Sequence, residues 1–118
     1  MKMQVDDCGF STAIAVIGGK WKSDILWQLH VAPRRFGRLR VLLPGISEKV
    51  LMEQLREMES DGIIARHEAP GRPVKVVYSL TSHGAALNDG VHALSHWGLS
   101  HRARKTVTAD QQMIDIAR

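Results

Sequence analysis

The chain has 118 residues, with 16 Lys and Arg against 12 Asp and Glu, a formal charge of +4 and a hydrophobic fraction of 44%. This length suits one domain with a core that needs no covalent staples, and the single cysteine excludes an intramolecular disulfide framework and suits a reducing compartment. No apolar run is long enough for a membrane span and Met1–Asp7 has no apolar signal core, so a cytoplasmic protein is expected.

Phe10 leads an almost wholly apolar stretch, Ser11 to Ile17, that stops at Gly18-Gly19, which predicts a short buried helix. From about Lys20 to Val31, Trp21, Ile25, Leu26 and Leu29 form a helical stripe, Trp27 falls off it, and Pro33 ends the segment. Arg35 to Leu43 repeats Phe36, Leu39, Leu42 and Leu43 at helical spacing, with Arg34, Arg35, Arg38 and Arg40 around them. It reads as a short amphipathic helix with a basic outer face, closed by the turn at Pro44-Gly45. Ser47 is then a good N-cap for a helix from about Glu48 to Ser60, with Val50, Leu51, Leu55 and Met58 inward and Gly62 as the stop.

The period changes after Gly62. Ile63–Glu68 and Val74–Leu80 are rich in β-branched residues and partly alternate, and Ala69-Pro70-Gly71-Arg72-Pro73 joins them as the tip of an antiparallel hairpin. Thr81 caps a last long helix through Leu87, Val91, Leu94 and Trp97 to about Arg104, with Gly90 and Gly98 as weak points. The tail from Lys105 reads either as a short further helix or as a frayed end.

A short helix, a tight turn and a capped second helix are the parts of a helix-turn-helix, and the hairpin after them makes it winged. The expected fold is thus mainly α with a small β-hairpin. Residues 8–104 form a winged helix-turn-helix DNA-binding domain and residues 105–118 a tail. With the apolar stripe of the capped helix inward, Lys49, Met52, Glu53 and Arg56 share the outer side, offering two cations, an acceptor and an apolar contact to base edges. Ser47 and the helix N-terminus suit a phosphate. Arg35 and Arg38 are candidates for backbone phosphates, and Arg72 and Lys75 mark the wing.

Cys8 precedes the first helix by two or three residues, and a helix N-terminus or a nearby cation favours a reactive thiolate, so Cys8 is a candidate redox or electrophile sensor. His92 and His96 stand four apart on the last helix, but no Glu follows His92 and no cysteine lies near to complete a site. No metal site, no cofactor and no catalytic constellation is expected. The alternatives are a winged helix that binds proteins rather than DNA, and a ligand- or metal-responsive regulator without redox chemistry.

Several strings at consistent spacing resemble the HxlR-type winged-helix regulators: Gly18-Gly19-Lys20-Trp21, Arg35-Phe36-Gly37-Arg38-Leu39, Leu43-Pro44-Gly45-Ile46-Ser47-Glu48-Lys49-Val50-Leu51, Leu55 through Arg66, Tyr78-Ser79-Leu80-Thr81 with Gly84, and Trp97-Gly98. The match runs from about Cys8 to Arg102. One departure is Met52, where many members carry a small polar residue. The resemblance implies a bacterial or archaeal transcriptional regulator, dimeric through its N- and C-terminal helices. The helix after Ser47 would enter the major groove and the hairpin loop would lie at the minor groove. It also implies, for some members, sensing of oxidants, quinones or aldehydes at the position of Cys8. A symmetric dimer of this kind would read a near-palindromic operator with half-sites about 34 Å apart.

Overall fold

The computed structural model describes residues 8–117. Its elements are α1 (Gly9–Ile17), α2 (Lys22–Val31), β1 (Arg34–Arg35), α3 (Phe36–Leu42), α4 (Glu48–Ser60), β2 (Ile64–Ala69), β3 (Lys75–Leu80) and α5 (Ser82–Ala117). One unit of the chain ends at Asn88 and a second begins at Asp89.

In the first unit the helical stripes converge as their spacing requires. Ile25, Leu26 and Leu29 from α2, Leu39 from α3, and Leu51, Leu55 and Met58 from α4 are buried together with Ile63, Ile64 and Tyr78. Each such side chain contributes roughly 1.5–3 kcal/mol relative to exposure. Termini are set locally. Ala32 is extended, as the residue before Pro33 tends to be, and this closes α2. Gly45 turns the chain between α3 and α4 at φ 91°, a conformation that costs an L-residue. Ser47 accepts from the Val50 amide at 3.1 Å and starts α4.

The expected hairpin is present, with β2 antiparallel to β3 from Ile64↔Leu80 to Ala69↔Lys75. A third strand was not expected. β1 pairs with the other edge of β3, Arg34↔Tyr78 and Arg35↔Val77, giving the order β1-β3-β2. Two arginines before a helix carry no period from which a strand could be read.

Two expectations are corrected. The first helix is not buried within the chain: Ile17 is its one buried residue, while Phe10 is 58% and Ile14 43% exposed. A helix apolar on every side can be covered on only one by a domain this small. The last helix does not end near Arg104 but continues to Ala117. Residues 105–117 contain neither Gly nor Pro, so nothing local stops it, and a single glycine such as Gly90 or Gly98 costs only about 1 kcal/mol inside a helix.

The start of α5 is locked to the end of α4. The Thr81 hydroxyl lies 2.6 Å from the Gly62 carbonyl and 2.9 Å from that of Ile63, and its oxygen also accepts the Gly84 amide at 3.0 Å as an N-cap. Gly84 is required by contact. A Cβ there would sit 2.1 Å from the Ile63 carbonyl oxygen. In the second unit α5 exposes Leu94, Trp97 and Leu99, and Trp97 stacks on His101 with ring centroids 4.8 Å apart.

Candidate nucleic-acid interface

Helix α4 presents the side chains that its spacing implied. Lys49, Glu53 and Arg56 are exposed, and among the described residues none has an ion-pair or hydrogen-bonding partner. Met52 departs from the expectation of an outward residue. It is half-buried, lining a hollow of about 410 Å³ with Phe36, Arg56, Glu59, Arg66, Val76 and Tyr78. Ser47 is exposed, with its oxygen engaged by Val50, so its hydroxyl proton remains for an acceptor beyond the helix.

Strand geometry divides the arginine cluster. Residues directly opposite one another share a face of the sheet, and successive residues alternate. Arg34, Tyr78 and Arg66 therefore form one cross-strand row, on the face that buries Tyr78, and Arg35, Val77 and His67 form the row on the other. Arg34 is half-buried, its Nε donating to the Gln28 carbonyl at 3.3 Å. Arg40 lies 3.8 Å from Glu48. Arg35 and Arg38 are exposed and unpaired among the described residues. The run of four thus leaves two guanidiniums free for an external anion.

At the hairpin tip Arg72 and Lys75 are exposed and likewise unpaired. Arg66, which sequence reasoning did not single out, is bound 2.6 Å from Glu68. The hydrogen bond to Glu68 holds its guanidinium above the usual arginine range. Glu59 and Glu68 offset the two arginines around the hollow, so it is not a net trap for anions.

Cys8 is the N-cap residue of α1, half-buried and not in a disulfide, and its side chain makes no capping hydrogen bond. Among the described residues no group of three or more His, Cys, Asp or Glu is placed to hold a metal ion. No described helix is long and apolar enough to cross a membrane.

A capped helix with an unpaired polar face, preceded by a short helix and followed by a hairpin that pairs with the earlier β1, defines a winged helix-turn-helix of the DNA-binding type. The chain belongs to the HxlR-like helix-turn-helix family, whose model matches residues 16–106. The family is one of transcriptional regulators rather than enzymes. The chain is 38% identical over 99 residues to the uncharacterized HTH-type transcriptional regulator YdeP of Bacillus subtilis (strain 168), covering 84% of this chain and 77% of that one. Among solved structures it is similar to the redox regulator HypR in its reduced form, with TM-score 0.76, 38% identity, and coverage of 80% of this chain and 94% of that chain. It is also similar to the reduced form of the transcriptional regulator YodB from B. subtilis, with TM-score 0.70, 33% identity, and coverage of 81% and 91%.

Proposed function

We propose that this regulator binds a near-palindromic operator as a homodimer, with α4 of each copy in the major groove. Ser47, Lys49, Met52, Glu53 and Arg56 meet base edges and the adjoining phosphate. Arg35 and Arg38 anchor the backbone, and Arg72 and Lys75 reach it from the wing. The observation that carries this reading is the set of unpaired charges on α4, together with Arg35 and Arg38, exposed and also unpaired among the described residues. Charges satisfied within the protein would have little left for DNA.

The dimer reading rests on apolar surface. Phe10 and Ile14 on α1, and separately Leu94, Trp97 and Leu99 on α5, are large hydrophobics left in water by a single copy. A second copy of the same chain would cover them and supply the second half-site reader. Such a regulator acts in the cytoplasm, where the chromosome lies.

The response we assign is thiol oxidation at Cys8. Its support is the free cysteine at the N-cap of α1, on a helix whose exposed face suits a subunit interface, together with similarity to HypR, a redox regulator. With one thiol per chain, two Cys8 side chains of a dimer would form one disulfide, the oxidant taking up two protons and two electrons. A mixed disulfide with a small thiol is the other product open to a single cysteine.

Footprinting on the DNA upstream of its own gene, with and without diamide, tests the whole reading. Two protected half-sites one helical turn apart, lost or altered on oxidation, are expected. Absence of protection at low salt would remove the operator assignment, and protection indifferent to diamide would remove the thiol response.

A further inference from the structure

The buried side chain of Lys22 is out of place by every local rule. It is the first residue of α2, where the helix dipole disfavours a cation, and the residue is only 8% exposed. A buried charge persists only when paired, and Lys22 Nζ lies 2.5 Å from Glu57 Oε2 on the C-terminal half of α4. The pair is buried on the lysine side alone, since the Glu57 side chain is 55% exposed, so its contribution to stability is modest. What it adds to apolar packing is a directed tie between two named groups.

We propose that Lys22 is a positioning residue that fixes the roll of α4, and through it the aim of Arg56; the proposal rests on α4 being the base-reading helix. Leu51, Leu55 and Met58 seat α4 on the core, and the ion pair adds a fixed point on the flank of the helix that carries Arg56. Glu57 is the next residue after Arg56, about 100° around the helix, so a fixed Glu57 carboxylate fixes where the Arg56 stem leaves the axis. A roll of about 20° moves a side-chain tip at the helix surface by about 2 Å, enough to break a hydrogen bond to a base edge. The other pair on α4, Arg40 with Glu48, is longer at 3.8 Å and exposed on both sides, and cannot hold the roll as firmly.

The test compares Lys22→Met and the exchange Lys22→Glu with Glu57→Lys against the wild-type protein. The probes are a duplex that the wild type selects from a random-sequence pool and an unrelated duplex of equal length. In folded Lys22→Met, affinity for the selected duplex falls about tenfold while that for the unrelated one holds, because phosphate contacts tolerate a roll and base contacts do not. The exchange recovers most of the loss, since it restores the pair and places each charge at a helix end that favours it. Amide residual dipolar couplings report the orientation of α4 against α2 without DNA and shift in Lys22→Met. An unchanged ratio of the two affinities in a folded variant, no recovery in the exchange, or unmoved couplings would each overturn the proposal. Should Lys22→Met fail to fold, Glu57→Gln, which alters a half-exposed carboxylate, carries the same measurements. A wild type that selects no sequence would sink base reading by α4, and the couplings would still decide the tie to α2.

Discussion

The amide of Ile63 donates to the carbonyl of Met58 at 2.9 Å, reaching back across the end of α4. Gly62 between them has φ 73° and donates its own amide to Glu59 at 3.0 Å. The two bonds are those of a Schellman end, and the buried Ile63 and Met58 side chains supply its apolar partner contact. Gly62→Ala forces an alanine into the left-handed region and should cost about 1 kcal/mol, or about 4 °C in Tm, with DNA affinity nearly unchanged. A thermal melt that does not move would mean that α4 ends in some other way.

Gly84 admits no side chain. Its added Cβ would lie 2.1 Å from the Ile63 carbonyl oxygen and 2.7 Å from Leu80 Cδ1, so backbone would have to shift. Gly84→Ala should cost about 3 kcal/mol, well beyond an ordinary surface change. Chemical denaturation gives the number, and a loss below about 1 kcal/mol would refute the tight joint between Ile63 and α5.

Ser47→Ala removes the acceptor for the Val50 amide and should cost about 1 kcal/mol of stability. Ser47→Asp keeps the cap but brings a negative charge to the DNA face. It should therefore retain the Tm while weakening binding, which separates the two duties of this residue.

Arg56 and Arg38 should differ in kind. Arg56→Ala is expected to cost about 1–3 kcal/mol on a selected operator and to relax preference at one base position. Arg38→Ala should weaken all duplexes alike and lower the slope of log affinity against log salt by about 1. Equal, sequence-blind losses for both would place Arg56 on the backbone instead.

Cys8→Ser should bind DNA as the wild type does and lose any response to diamide. Retention of the full response in a gel-shift titration would rule out the thiol, because the sequence contains no other cysteine.

The capped helix, its glycine stop and the hairpin were legible because each depends on neighbours close in sequence: Ser47 with Val50, Gly62 with Glu59, and alternation along residues 63–80. What escaped depends on partners far along the chain. β1 exists because Tyr78 and Val77 lie beside Arg34 and Arg35, more than forty positions away. The pairing of Lys22 with Glu57 is of the same kind, and the nearer engagement of Arg34 by Gln28 is to a backbone carbonyl, which leaves no periodic signature. The burial expected for α1 failed for a related reason: composition shows that a helix is apolar, not what covers it. Met52 was read outward from helical spacing alone, which takes no account of the hairpin beside α4.

The two-residue strand makes parity a constraint on the chain. Arg34 and Arg35 do different work only because one is an even step and the other an odd step along an extended backbone. Inserting or deleting one residue between Val31 and Arg34 could exchange their faces, leaving composition and net charge untouched. It would turn the guanidinium now tied to Gln28 outward and draw its neighbour in. The length of this linker therefore decides which of the two guanidiniums is left for an external anion.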